Sequence, residues 1–317
     1  MGRYILSRSA QSLVVLLIMS LVIYSLIGLM PGDPIDLMVA ANPNITPEAA
    51  AAMRRLYGLD QPLLLRYWHW LVAAVSGDLG YSRLHAQPVL EVLLPALWQS
   101  CKLMLTSFVL SVALAFLLGV LAALKPGGML YGIVSLFAFA GISVPVFWLA
   151  LVFILIFAVK LHWLPASGIA NVGDGSFFDH LVHLVMPVAT LALVSTGGFT
   201  RFVRASMIEV LRMDHVRTAR AKGAGERRVV WVHAFRNALI PVVTVMALSF
   251  GTLFNGALVT ETMFAQPGMG KMIYDAILGN DFNLALSGLL FATLVTLLSN
   301  LMADLAYGWL DPRIALT

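Results

Sequence analysis

The sequence predicts an all-α membrane protein with six transmembrane helices and both termini on the cytoplasmic side. Three observations carry that prediction. Of 317 residues, 60% are hydrophobic and only 11% are charged, against roughly 25% charged in a soluble domain; mean hydropathy is +0.89. Six intervals are free of charge, 9–32, 103–124, 126–159, 180–200, 237–260 and 282–303, and a helix needs about 20 residues to cross hydrocarbon. The net charge of +4 gathers in one loop, where nine Lys/Arg and three acids (Glu209, Asp214 and Glu226) lie between Arg201 and Arg236.

Charge-free intervals mark spans because a charge at the bilayer centre costs about 2.5–3.5 kcal/mol on insertion scales. The whole chain, 1–317, then reads as one transmembrane domain. A first span covers 9–30, an outer segment 31–100, and five further spans lie within 101–308 with a cytoplasmic loop at 204–238. A cytoplasmic tail occupies 309–317. Arg3 and Arg8 put the N-terminus inside by the positive-inside rule, and alternation places Lys125, the basic loop and Arg313 there too. By that count 13 of the 20 Lys/Arg are cytoplasmic. The charge thus sets orientation rather than binding nucleic acid.

The first span is longer than the 7–15 apolar residues of a signal peptide and ends in Pro31-Gly-Asp-Pro34, so it reads as a retained helix. Gly2 is followed by Leu6, where a myristoylation signal has Ser or Thr. In the outer segment Thr46-Pro-Glu48 is a helix start, Thr46 as N-cap and Pro47 at the first helical position. The run from Ala49 to Tyr57 closes at Gly58. After Gln61-Pro62, Leu64, Tyr67, Trp68 and Leu71 share one helical face, and Tyr67, Trp68 and Trp70 suit a membrane interface. Gly77-Asp-Leu-Gly80 is a turn. This segment is too short for a domain of its own and is expected to pack on the outer face of the bundle. Cys101, the one cysteine, excludes an internal disulfide and reads as a small hydrophobe.

Lys125-Pro-Gly-Gly128 is a tight cytoplasmic turn. Gly141-Ile-Ser-Val-Pro-Val-Phe-Trp148 breaks or kinks the third span, and freed backbone groups there are tolerated only against protein or a water-filled path. Ser143 and Pro145 therefore line a path or mark a packing kink. Leu164-Pro-Ala-Ser-Gly168 and residues 171–179 form an outer loop. His180 and His183 stand at i, i+3 without a third ligand, and read as interfacial histidines with no metal site. Gly251, Gly256 and Ala257 in the fifth span are small enough for close helix approach. Glu261, near the bilayer edge, caps the next turn or faces the path. Asp304 is placed for an inner-rim ion pair with Arg313 or the basic loop. Gly268-Met-Gly-Lys271 resembles the end of a phosphate-binding loop, but Ala265 and Met272 stand where Gly and Ser/Thr are needed.

The basic loop has the form of a docking element. Asp214 can N-cap a short helix and Gly223 C-caps it. Arg217, Arg220 and Lys222 sit on the turns between. Neither a catalytic set nor a buried acid–base relay of the kind proton-coupled carriers use stands out. A membrane enzyme or self-sufficient secondary carrier is the alternative of another class, and an ATPase that copurifies would separate it from a motor-driven conduit.

In this order, Leu29-Met-Pro-Gly-Asp-Pro34, Gly58-Leu-Asp-Gln-Pro62, Gly77-Asp-Leu-Gly80, Gly141 to Trp148, Ala219-Arg-Ala-Lys-Gly223, His233 with Arg236-Asn-Ala238 and Pro241, Glu261 with Phe264 and Pro267-Gly268, and Asp311-Pro-Arg313 span nearly the whole chain. The set resembles the permease subunits of binding-protein-dependent ABC importers, in the dipeptide/oligopeptide/nickel group. The resemblance implies the type I importer permease fold in a bacterial inner membrane and a non-catalytic role. It implies a second homologous permease, two cytoplasmic ATPase subunits and an extracytoplasmic solute-binding protein as partners, besides membrane lipid. ATP and Mg would sit on the ATPases, with no cofactor on this chain. Such permeases carry a Glu-Ala-Ala-x3-Gly loop whose short helix docks in the ATPase. Here Gly223 takes the Gly position and Arg217-Thr218-Ala219 stand where Glu-Ala-Ala would be, so no salt-bridge role is carried over to the first position. Asp214, Arg217, Thr218, Ala219, Arg220, Lys222 and Gly223 are the implied coupling residues, with helix 214–222 as a lever capped at both ends. Peptides are the implied cargo, with nickel, glutathione or certain glycosides as alternatives.

Overall fold

The computed structural model describes residues 2–29, 35, 39, 44–56, 60–250 and 253–310. Helix α1 (Gly2–Gly28) is apolar around most of its circumference and packs along the last helix, α13 (Phe282–Leu310). Arg8 Nε lies 3.2 Å from Asp304 Oδ2, so the start of α1 and the end of α13 share one end of the bundle. Arg8 is thus the partner of Asp304 in the structure; Arg313 lies outside the described residues.

Two short helices and a hairpin are the next elements described in full. Helix α2 (Pro47–Leu56) starts as its sequence dictates, the Ala49 amide donating to Thr46 Oγ1 at 3.3 Å; Tyr57 and Gly58 lie outside the described residues. Helix α3 (Leu63–Val75) packs on α1 through aromatic rings. Tyr24 lies 5.6 Å from Tyr67 and 5.8 Å from Trp70 between ring centroids, and the Tyr67 hydroxyl is 2.7 Å from Ser20 Oγ. Leu64 and Trp68, expected on the same face as Tyr67, are 67% and 59% exposed. The ring contacts with Tyr24 orient the helix, and they use Tyr67 and Trp70. The turn at Gly77–Gly80 is held by Asp78, whose carboxylate accepts from the Gly80 amide at 2.9 Å. It leads into an antiparallel pair, β1 (Tyr81–Ser82) and β2 (Gln87–Pro88), that the all-helical expectation did not contain.

The spans are longer than their charge-free cores. Helix α4 (Val89–Leu124) has 36 residues, roughly 54 Å at 1.5 Å per residue, and starts before the expected boundary at 101. Helix α7 (Phe177–Leu211) likewise continues past 200. Hydrocarbon demands apolar residues over about 30 Å only, so charge marks where the membrane ends, not where the helix does. The third interval is broken. Helix α5 (Met129–Ser143) and helix α6 (Val146–Phe153), continued by a π-helical stretch (Ile154–Lys160), meet at 105°. Val144 precedes a proline and is extended, φ −83° and ψ 122°, as that position favours. α5 and α7 cross at Gly141 and Gly197, where a Cβ added to Gly197 would sit 2.7 Å from the Ala138 carbonyl oxygen.

After α7 come helix α8 (Asp214–Ala221), helix α9 (Glu226–Arg228), a π-helical stretch (Val229–Ala234) and helix α10 (Phe235–Phe250). Helices α11 (Leu253–Met263) and α12 (Met269–Leu278) precede α13. Among the described residues four helices are long and apolar enough to cross a membrane, and the bent pair, taken as one span, makes five. The fifth expected span, 237–260, falls on α10 and α11, and residues 251–252 between them, with Gly251, lie outside the described residues. Among the described residues two large apolar cores hold the bundle, and a small third one joins Ala150, Met186 and Phe264. One gathers Val89, Leu93, Met269, Ile273 and Leu284 near the hairpin; the other gathers Val203, Met207, Val216, Val229 and Ala234 at the basic loop.

Candidate functional site

Helix α8 is short because its sequence permits only two turns. Thr218 turns its hydroxyl onto the Asp214 carbonyl at 2.9 Å. Gly223 ends the helix in the left-handed region, φ +80°. Its amide donates to the Arg220 carbonyl at 2.9 Å and the Ala224 amide to the Ala219 carbonyl at 3.1 Å. These two bonds make a Schellman motif, which supplies donors to carbonyls a helix end leaves open. The expected N-cap differs. Met213 holds that position with no side-chain bond, and Asp214 is the first helical residue. Its carboxylate pairs with Arg217 at 3.2 Å and lies where the helix dipole favours negative charge.

One face of α8 is anchored. Val216 is fully buried and Ala219 is 8% exposed, and both join the core formed by Val229, Val230 and Ala234. Val216 is the residue the motif reading passed over. Its signal was local: with Ala219 it makes an i, i+3 apolar pair on one face of a mostly polar helix. Ala219, expected at the coupling surface, faces inward instead. Asp214, Arg217, Thr218, Arg220, Lys222 and Gly223 are exposed. Arg220 reaches across the turn to Glu226 with two bonds, 2.7 and 3.2 Å. That bond holds the Glu226 carboxyl below its ordinary range and raises the Arg220 guanidinium. The Asn237 amide donates to the His233 carbonyl at 2.8 Å and lies 3.3 Å from His215 Nε2, which ties α8 to the foot of α10. Charged groups thus fix the loop to itself, and its outer face remains open.

The expected pathway residues divide. Ser143 and Pro145 are exposed at the 105° break, where Pro145 precedes the first turn of α6 and its carbonyl accepts from the Leu149 amide at 3.1 Å. Glu261 is 1% exposed. Its carboxylate accepts from the Ser100 hydroxyl of α4 and from the Lys271 amide at 3.1 Å. Ser100 Oγ in turn accepts from the Met269 amide at 2.8 Å. Of the two readings open for Glu261, this is the cap: the acid sits at the N-terminus of α12, where amides are unpaired and the dipole favours an anion. Gly268 leaves the space, since a Cβ there would lie 2.1 Å from the Glu261 carboxyl carbon.

Around it the loops are pinned by backbone bonds. The Gly168 amide donates to the Phe264 carbonyl at 2.9 Å, and Gln266 Nε2 to the Gly168 carbonyl at 2.6 Å. His180 and His183 diverge. His180 Nδ1 meets the Ile169 carbonyl at 2.7 Å, whereas the buried His183 Nδ1 is 2.9 Å from the Asp179 carbonyl. At the hairpin, Asp281 is 2% exposed and accepts from Ser82 Oγ at 2.6 Å and from the Leu84 amide at 3.0 Å.

Residues 115–316 match the model of the family described as binding-protein-dependent transport system inner membrane component, and residues 1–112 match the N-terminal model of the same membrane component. The chain is 34% identical over 317 residues to the oligopeptide transport system permease protein AppB of Bacillus subtilis (strain 168), covering 99% of each. It is 34% identical over 336 residues to the dipeptide transport system permease protein DppB of Escherichia coli (strain K12), again covering 99% of each. To the di/tripeptide transport system permease protein DppB of Pseudomonas aeruginosa (strain UCBPP-PA14) it is 37% identical over 314 residues, covering 93% of each. Among solved structures, an amino acid ABC transporter crystallised with histidines shares the fold at a TM-score of 0.50 and 14% identity, covering 68% of this chain and 93% of that one.

Proposed function

Because the chain belongs to the binding-protein-dependent transport system inner membrane component family, we propose that it is the permease subunit of an ATP-driven importer of di- or oligopeptides. Two cytoplasmic ATPase subunits drive it through the polar face of α8. It forms half of the pathway, a second similar permease forms the other half, and a solute-binding protein delivers cargo on the outer side. In this reading six spans put the basic loop and both termini in the cytoplasm. The peptide assignment rests on the relatives, which are named for oligopeptides, dipeptides and di/tripeptides.

One observation carries the coupling role. α8 is locked to the bundle core through Val216 and Ala219 while six of the seven expected coupling residues stay exposed. A helix attached on one side and open on the other transmits force in both directions. When ATP closes the ATPase pair, α8 moves as a unit with the foot of α10, and the spans follow. Ser143 and Pro145, exposed at the break between α5 and α6, are placed in this reading on the path that the two permeases share.

The test is solute-stimulated ATPase activity of the assembled complex in lipid, native against Gly223→Pro. Proline fixes φ near −65° and removes the amide, so it breaks the Schellman bond and the left-handed turn without touching a span. Loss of coupled ATPase activity and uptake from a complex that still assembles is the expected result. Undiminished uptake by a variant that retains no ATPase would overturn the reading.

A further inference from the structure

We propose that the face of the π-helical stretch turned away from α8 binds the headgroup of an anionic phospholipid in the cytoplasmic leaflet. The inference goes beyond the coupling role and needs only that α10 spans the membrane from the basic loop. Gly225, Glu226, Arg227, Arg228, Trp231 and Val232 line an open cleft of about 800 Å³. Helical turns stack Arg227 over Trp231 and Arg228 over Val232. Val229, Val230 and Ala234 of the same stretch are buried in the core that holds α8. Trp231 and Val232 are 52% and 54% exposed, so they lie on the other side, away from the surface proposed for the ATPase.

The order of chemistry along the cleft is that of a lipid. The chain runs from Glu226 toward the span α10, so the guanidiniums stand farthest from hydrocarbon and the ring and the valine nearer to it. The Trp231 ring is 5.2 Å from Phe235, and Phe235 is 5.5 Å from Phe116 of α4, a stack that leads directly into the spans. Amphipathic rings collect at headgroup level, and guanidinium forks match phosphate oxygens in pairs. Among the described residues neither Arg227 nor Arg228 is held in an ion pair, and Glu226, the acid in the cleft, is taken up by Arg220. The cleft therefore presents two uncompensated cations above an apolar floor, as anion-binding basic pockets on this side of a membrane do.

The test uses the full chain in nanodiscs of phosphatidylcholine, alone or doped with phosphatidylglycerol. Native mass spectrometry counts retained lipid. Trp231 is followed as the fluorescence difference between native protein and Trp231→Phe with bromine-labelled acyl chains. Each arginine near an anionic surface contributes about fivefold, so Arg227→Gln with Arg228→Gln should weaken phosphatidylglycerol retention roughly 30-fold. Arg217→Gln with Lys222→Gln, on the other face, should leave it unchanged, and bromine-labelled phosphatidylglycerol should quench Trp231 more than the labelled phosphatidylcholine. Equal quenching by both lipids, or unchanged retention in the Arg227/Arg228 double variant, overturns the proposal. So does a double variant that keeps its lipid but loses a copurifying ATPase, because the surface then belongs to a protein. Normal lipid retention in a complex uncoupled by Gly223→Pro would leave this proposal standing whatever becomes of the coupling role.

Discussion

Helices α8 and α12 are nearly the same length and lie at opposite ends of the bundle, yet they are attached by opposite means. α12 is sunk: Met269, Gly270, Met272, Ile273 and Ala276 are buried, half of its ten residues, and a buried carboxylate from α11 closes its N-terminus. α8 is perched: of eight residues only Val216 and Ala219 are buried, and its ion pairs are exposed. A buried acid surrounded by donors is costly to disturb, because each unpaired group carries its own desolvation penalty. An exposed ion pair is worth little on its own. α12 is built to stay in place, and α8 keeps an open polar face, as the proposed coupling role requires.

The sharpest way to break this contrast is at Glu261. Glu261→Ala removes the acceptor of the Ser100 hydroxyl and the Lys271 amide and leaves a void, so stability should fall by about 3–5 kcal/mol. Thermal unfolding of the purified chain in lipid measures it. Gly268→Ala attacks the same cage from the other side and should cost about 1–3 kcal/mol by overpacking. If both variants unfold like the native chain, α12 is no better anchored than α8 and the comparison fails. Val216→Asp is the matched experiment at the other end. A charge at a fully buried site should unseat α8, so the ATPase should no longer copurify while the far core, with Met269 and Leu284, keeps its protection from hydrogen exchange.

This contrast was only half legible in the sequence. The end of α8 could be read because Gly223 is a local signal and its geometry is local too, a left-handed residue closing two backbone bonds. Its start could not, since an aspartate at a helix N-terminus serves as cap or as first residue, and the choice depends on the backbone at Met213. The anchoring of Val216 depends on Val229 and Val230, which come close only when the chain turns back through the π-helical stretch. Glu261 was open between cap and pathway for the same reason: its donors come from Ser100 and Lys271, 161 and 10 residues away. Span cores were legible because hydrocarbon forbids charge. The extra turns of α4 and α7 were not, because water tolerates charge on a continuing helix. The break at Pro145 followed from the missing proline amide, but its angle of 105° belongs to tertiary packing, where α5 closes on α7 at Gly141 and Gly197.

A gentler change at Gly223 sharpens the account of α8. Gly223→Ala keeps the amide, and nothing lies within 4 Å of the added methyl, so the whole penalty is backbone strain at φ +80°. Left-handed conformation costs an L-residue about 1–2 kcal/mol. The bundle should melt as the native chain does, while hydrogen exchange at Ala224, the outer bond of the Schellman motif, should quicken about 5- to 30-fold if the strain is released by local opening. An equal fall in melting temperature and in local protection would mean that α8 unfolds with the bundle and is not a separately held element.

The smallest effect is expected at Arg220 and Glu226, and pH gives its sign. The Arg220 bond lowers the folded-state pKa of Glu226, so the pair contributes above the ordinary glutamate value of about 4.3 and is lost as pH falls through the depressed value. Coupled transport between neutral pH and mild acidity should therefore be indifferent to this pair. Glu226→Gln should act on α8 at neutral pH as strong acid does on the native chain, with slightly faster exchange at Gly223 and no change in the bundle. Both side chains are well exposed, 42% and 68%, so salt should screen the bond and narrow the difference between variant and native protein. A carboxyl titration that finds Glu226 at or above the ordinary value would remove the bond from solution. α8 would then be held by Val216, Ala219, the contact of His215 with Asn237 and its C-terminal cap, which makes it more perched, not less.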